Sequence, residues 1–136
     1  GKVGDVTIID DYAHHPDEIT ATIKTAKHYP HKKMWVVFQP HTYSRTKSLL
    51  PEFGKALKEA DAVVLADIYA ARETDTLGIS SEDLQKRIQE LGTPCEYFPT
   101  FDEIENYLLS NCQEGDLLIT MGAGDVVNIG EQLLGK

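Results

Sequence analysis

Cysteine is scarce: Cys95 and Cys112 are the only two in 136 residues. They form no Cys-x-x-Cys pair and no Cys/His zinc spacing, so they read as reduced, partly buried thiols of a cytosolic protein rather than a disulfide framework. Positive charge is short as well. Lys and Arg number 13 against 22 Asp and Glu, giving a net charge of −9 and a pI near 4.9. That balance excludes a broad nucleic-acid or anionic-membrane surface but not a small anion gripped by a few local cations. No apolar run approaches the roughly 20 residues that span a bilayer, and no signal peptide opens the chain, so a soluble, cytoplasmic protein is expected. Two catalytic signatures are also missing. There is no Gly-x-Ser-x-Gly elbow. The run from Gly130 to Gly135-Lys136 matches the start of a phosphate loop, yet it falls inside a predicted helix and lacks the final Ser or Thr. It is a chance match, and complete ATP-dependent chemistry has no visible home in the chain.

What is present fits one domain over residues 1–136, long enough to bury a core, with no internal repeat, linker or low-complexity tract. Five apolar runs, at Val6 to Ile9, Met34 to Phe38, Ala62 to Ala66, Glu96 to Phe98 and Leu117 to Met121, are each followed by a helical pattern. The helical faces repeat near 3.6 residues: Ile19, Ile23, Ala26; Leu49, Phe53, Ala56, Leu57, Ala60; Leu84, Ile88, Leu91; Ile104, Leu108, Cys112; Val126, Ile129, Leu133. Ser80 with Asp83 makes a capping box, Gly92 follows a helix end, and Tyr29-Pro30 closes the first helix. Short strands apolar on both faces and separated by helices predict an α/β, doubly wound, mostly parallel sheet with helices on both faces, a Rossmann-like arrangement.

Such sheets bind ligands outside the carboxyl ends of their strands. The unusual polar and glycine chemistry follows that rule. Asp10 to Pro16 follows the first strand and carries two carboxylates, a phenol and two imidazoles on a strand-to-helix turn. Gln39 to Thr46 follows the second, Asp67 to Glu73 the third, and Gly122 to Asp125 the fifth.

Each cluster has a structural reading beside a functional one. Asp10, Asp11, His14 and His15 suit divalent ions, but neighbours on a tight turn seldom converge on one ion, and no dedicated metal site is expected. His15 with Pro16 equally starts the helix, and one Asp equally caps backbone amides. His41, Tyr43 and Arg45 alternate, so an imidazole and a guanidinium can face one crevice and grip a carboxylate or phosphate. Alternatively Arg45, with Ser44 and Thr46, opens the second helix, although a cation there opposes the dipole. Arg72 and Glu73 lie in a long loop from Asp67 to Ile79, which suggests a site or domain contact as readily as a surface ion pair. Gly122-Ala123-Gly124 lets amides approach a ligand at a helix start or simply makes a tight turn, and Asp125 caps a helix or joins the site.

In order, the strings DDYAHHP, FQPHTYSRT, DIYAARE and GAGD resemble the C-terminal domain of the Mur ligase family over essentially the whole chain. Within it they look most like the members that join L-alanine to UDP-N-acetylmuramate. The murein tripeptide ligases share the first motif but typically depart from the Gln39 to His41 pattern. The resemblance implies one domain of an ATP- and Mg-dependent enzyme of peptidoglycan synthesis. The partners it implies are the N-terminal UDP-sugar domain and the central domain, which binds most of the ATP and Mg. It implies that this chain alone is silent, that Tyr12, His14 and Arg45 orient the amino acid and meet the reacting centre, and that Asp11 reaches the nucleotide ribose. His41, which could equally be structural, Gly124 and Asp125 are further candidate substrate contacts, as is Arg72 by the proximity of its loop on the same rim. Thr42 stands where some members carry arginine, and Arg72 is the candidate for restoring that charge. Two rival readings remain: a stand-alone anion- or nucleotide-binding module of the same fold, and a small metal-dependent hydrolase using Asp10, Asp11, His14 and His15.

Overall fold

Met34–Phe38 shows why this chain builds a sheet covered on both sides. All five residues are buried, with Met34, Val36 and Phe38 facing one core and Trp35 and Val37 the other. The structure, a computed structural model, describes residues 2–3 and 6–133. Its strands are β1 (Lys2–Val3), β2 (Val6–Asp11), β3 (Met34–Phe38), β4 (Ala62–Leu65), β5 (Cys95–Tyr97) and β6 (Leu117–Met121). Its helices are α1 (Pro16–Ala26), α2 (Tyr43–Ser48), α3 (Leu50–Leu57), α4 (Ser81–Glu90), α5 (Phe101–Asn111) and α6 (Val127–Leu133). The sheet order is β1-β2-β6-β3-β4-β5, with β1 antiparallel to β2 and every other pairing parallel. The expected doubly wound α/β architecture is therefore the one observed.

Two apolar layers hold it. Ile19 and Ile23 of α1, Phe53, Ala56 and Leu57 of α3, and Leu84 and Ile88 of α4 pack on one face of the sheet. Ile104 and Leu108 of α5, with Val126 and Ile129 at α6, pack on the other. The chain steps outward through β3, β4 and β5 under the first layer and returns under α5 to place β6 between β2 and β3. Crossovers of one hand require this change of face when the direction reverses.

Four local expectations are corrected. Asp10 and Asp11 belong to β2, paired with Thr120 and Met121, because their backbone continues the ladder with β6; the turn begins only at Tyr12. The second helical stretch is two helices. Pro51 cannot donate to the carbonyl four residues earlier, and the chain breaks at Leu49 (φ −112°, ψ 18°) before α3 begins with Pro51 in its first turn. Ala60 lies beyond the end of α3. The fourth parallel strand sits one residue earlier than its apolar run, and β1 has no counterpart among the runs read from the sequence. Gly130 lies in α6, whereas Gly135 and Lys136 of the chance phosphate-loop match lie outside the described residues. Both thiols are free. Burial pushes Cys95 and Cys112 up to about 12, which suits packing rather than reactivity. Among the described residues, no helix is long and apolar enough to cross a membrane.

Candidate functional site

The carboxyl ends of β2, β6, β3 and β4 carry the polar residues, and each is fixed by an identifiable local device. On β2, Asp10 accepts from the Thr120 hydroxyl of the neighbouring strand. Gly130 leaves room for that carboxylate, since a Cβ there would sit 2.8 Å from Asp10 Oδ1. Asp11 accepts from the Ala13 N–H at 2.8 Å and from the Thr22 hydroxyl at 3.0 Å, so it is Asp11 that turns the chain out of the strand. Pro16 fills the first turn of α1 behind His15, and Glu18 Oε1 accepts from the His14 and His15 amides at 3.2 and 3.1 Å. Those two amides hold the Glu18 carboxyl below its ordinary range. Tyr12 is left 70% exposed, and His14 Nδ1 donates to the Tyr12 carbonyl at 2.9 Å.

After β3, the chain enters α2 through Thr42, whose φ of +66° is strained for a β-branched residue. The Thr42 side chain accepts from the Arg45 N–H at 3.3 Å. The helix start is also capped from a distance. Glu73 accepts from the Tyr43 N–H, from the Ser44 N–H and from the Ser44 hydroxyl. The Ser44 hydroxyl is the largest cause holding the Glu73 carboxyl below its ordinary range. A carboxylate thus offsets the unfavourable position of a cation in this first turn, and Glu73 makes this cap rather than an ion pair with Arg72. Arg45 directs Nη1 at His41 Nδ1, 3.2 Å away. Burial first, and then the Arg45 charge, lower the His41 pKa against the pull of Glu73.

A row of rings joins the three loops. Tyr12 lies 5.4 Å from His14, His14 lies 5.8 Å from His41, and His41 stacks on Tyr69 at 5.7 Å with planes 23° apart. Beside the row, Asp10, Asp11, Tyr12, Thr120, Gly122 and Gly124 line a cleft of about 290 Å³. The glycines are there for close packing. A Cβ on Gly122 (φ +151°) would meet the Gln39 carbonyl at 3.0 Å, and one on Gly124 would meet Gln39 Oε1 at 2.6 Å and the Tyr69 ring at 2.8 Å. Gln39 is buried and donates from Nε2 to Asp125 Oδ1 at 2.9 Å.

The structure brings Tyr12, His14, His41 and Arg45 into one chain of contacts and puts Asp11 and Gly124 on the adjacent cleft. Asp125 is tied to Gln39. Arg72 is exposed and has no hydrogen bond or ion pair among the described residues, one position from the Glu73 cap. Two of the chain's three arginines and three of its five histidines therefore belong to this rim of a protein with net charge −9. Tyr69 and the Gln39 side chain were not singled out from the sequence, and Glu73, read with Arg72 as a site, a domain contact or a surface ion pair, proves to be a helix cap. Glu18 had a signal in its spacing from His15, three residues earlier, but a histidine is not a usual partner in a capping box. Among the described residues, no three His, Cys, Asp or Glu side chains converge as metal ligands. Chemically, the rim offers two guanidiniums, one of them tied to an imidazole, imidazoles of both donor and acceptor character, and an exposed phenol.

The model of the family described as Mur ligase, glutamate ligase domain, matches residues 1–124. A UDP-N-acetylmuramate–L-alanine ligase of Lachnospira eligens is 66% identical over 134 residues, covering 98% of this chain and 29% of that protein. The crystal structure of the UDP-N-acetylmuramate–alanine ligase of Thermotoga maritima superposes with a TM-score of 0.77 at 28% identity, covering 96% of this chain and 26% of that one. A MurF ligase of the same organism, solved in complex with ADP, shares the fold with a TM-score of 0.62 at 19% identity, over 99% of this chain and 28% of that one. The chain spans less than a third of the length of these relatives.

Proposed function

The chain belongs to the Mur ligase family, and from that premise we propose that residues 1–136 are the C-terminal domain of a cytoplasmic, ATP-dependent ligase that joins L-alanine to UDP-N-acetylmuramate in peptidoglycan synthesis. The identity to a relative of that name over nearly the whole chain supports the choice of substrates. The observation that carries the site assignment is the contact chain from Tyr12 through His14 and His41 to Arg45 at the sheet's carboxyl rim.

In the proposed reaction the muramate carboxylate is activated as an acyl phosphate, with release of ADP. The L-alanine amine then attacks its carbonyl carbon, and phosphate leaves. Both steps build negative charge on oxygen, which a fixed guanidinium stabilises. Arg45 has one arm on His41 and keeps the rest of its fork for the carboxylate or phosphoryl oxygens. The two rim imidazoles are held in opposite senses. His14 donates from Nδ1 to the Tyr12 carbonyl, which leaves Nε2 as an acceptor for the amino group. His41 accepts at Nδ1 from Arg45, which leaves Nε2–H as a donor to an anion. Asp11 uses one lone pair of each oxygen on Ala13 and Thr22 and has the others for a ribose hydroxyl. Arg72, free of described partners, supplies the charge that Thr42 does not, while Gly124 and Asp125 contribute a wall. The described residues do not fit Mg²⁺ or a triphosphate: no carboxylate cluster and no phosphate loop are among them. Both are assigned to the central domain.

The test is phosphate release dependent on ATP, UDP-N-acetylmuramate and L-alanine. The chain alone should be silent, and mixing it with folded N-terminal and central domains should restore turnover. Arg45→Ala should then lower kcat by roughly 10²–10³-fold. Turnover by the chain alone, or no rescue by folded partner domains, would overturn the reading.

A further inference from the structure

Tyr69 lies outside the set of residues the proposed reaction uses, yet its surroundings tie three loops of the rim together. Its backbone is pinned by two hydrogen bonds, from its N–H to the Pro40 carbonyl and from the Thr42 N–H to its own carbonyl, each 2.8 Å. These make an isolated parallel bridge between His41 and Tyr69. The ring has two close neighbours. One is the His41 imidazole, stacked at 5.7 Å with planes 23° apart. The other is Gly124, so close that a Cβ there would come within 2.8 and 2.9 Å of Tyr69 Cγ and Cδ2. The side chain is nonetheless 39% exposed, so filling the core does not account for it.

His41 is in turn the acceptor for Arg45 Nη1. An imidazole can accept there only if its ring plane brings the Nδ1 lone pair toward the guanidinium. Its ring meets the stacked Tyr69 ring and the edge-on His14 ring. We infer that Tyr69 is a positioning residue for the ligation reaction: its ring, packed against both Gly124 and His41, fixes the imidazole plane and through it the aim of Arg45. The inference deepens the reading that Arg45 meets the reacting centre, and it rests on that reading. It also gives Gly124 a role distinct from presenting an amide, since a Cβ there would collide with the Tyr69 ring in its present place.

The experiment uses Tyr69→Leu, which keeps the backbone bridge and removes the flat ring, and Tyr69→Phe, which keeps the ring and removes the hydroxyl. In this chain labelled with ¹⁵N-histidine, wild-type His41 should show unprotonated Nδ1 and protonated Nε2. Tyr69→Leu should move both signals toward a mixture of tautomers, while Tyr69→Phe leaves them near wild type. In the complete ligase, Tyr69→Leu should lower kcat about tenfold, the size of one lost ring pair, with the KM for L-alanine changed less than kcat. Tyr69→Phe should recover most of that loss. Unchanged His41 signals in Tyr69→Leu overturn the inference, as do altered signals with unaltered kcat, or a Tyr69→Phe enzyme as impaired as Tyr69→Leu. If the wild-type ligase does not turn over these substrates, the functional reading falls instead, and the His41 signals alone decide whether Tyr69 fixes the imidazole.

Discussion

Replacing Gly124 with alanine is expected to destabilise the protein through contact alone. Its φ lies outside the left-handed region, so the backbone accepts a Cβ without strain. The added atom would lie 2.6 Å from Gln39 Oε1 and 2.8 Å from the Tyr69 ring. Favourable carbon contacts begin near 3.5 Å, so about 1 Å of overlap must be relieved on two sides. Neither neighbour can easily retreat: Gln39 is 6% exposed with its amide tied to Asp125, and Tyr69 is bonded through its backbone to Pro40 and Thr42. Overpacking of this kind costs about 1–3 kcal/mol, or roughly 4–10 °C in Tm for a domain of this size. Urea unfolding reads it directly, followed by the single tryptophan, Trp35, which is buried and hydrogen-bonded to Asp116. The midpoint should fall with an unchanged denaturant slope. Gly78→Ala is the control for backbone strain, because Gly78 has φ +71° and no atom within 4 Å of a Cβ. It should cost about 1 kcal/mol and leave the His41 signals alone, whereas Gly124→Ala should disturb them. A Gly124→Ala protein within about 0.5 kcal/mol of wild type, the size of an ordinary surface substitution, would refute the tight-rim argument.

Phe53→Ala should cost about 3–5 kcal/mol in the same unfolding assay, since the ring is fully buried on α3 and packs 5.4 Å from Phe38. Glu73→Gln should flatten the acid limb of stability. The folded-state pKa of Glu73 lies below its ordinary 4.5, so its contribution is complete above the unfolded value and is lost as pH falls through the folded one. Melting temperatures from pH 6 downward would expose a wild-type decline steeper than the variant's, and parallel curves would refute the cap. Thr42→Ala keeps the φ of +66° while removing the hydroxyl that accepts from the Arg45 N–H. It should therefore lose about 1 kcal/mol, and Thr42→Gly should lose less because glycine accepts that φ; equal losses would show that the strain is not felt.

How much of this was legible beforehand depended on whether the signal was local. The buried faces of β3 and β6, the Ile19–Ile23 stripe and the Ser80–Asp83 box are periodic or short-range patterns, and they stand where the spacing put them. Pro51 was an equally local signal for the break between α2 and α3 and was overridden by the apolar spacing from Leu49 to Ala60. Asp10 and Asp11 read as turn residues because carboxylates are rare in strands, but the Thr120 hydroxyl and the pairing with β6 hold them in the ladder. The rim itself was predictable from the strand-end rule. What was not predictable is who touches whom across it: Glu73 capping α2 from 29 or 30 residues away, or Gln39 reaching Asp125 across 86. Such contacts are set by sheet order, which a single sequence does not spell out.

That sheet order has a consequence for how the rim comes into being. β6 separates β2 from β3, so Thr7 pairs with Leu117 and Met34 pairs with Leu117 from the other side, and the first two parallel strands never touch. While residues 117–121 are still unmade on a ribosome, the Tyr12–His14 turn and the His41–Arg45 turn have no common scaffold, and the distance between them is undefined. Closing contacts over more than a hundred residues is slow relative to local helix formation. The complete rim therefore depends on β6 lying between the two earlier strands, and a partly synthesised chain that lacks residues 117–121 cannot present it.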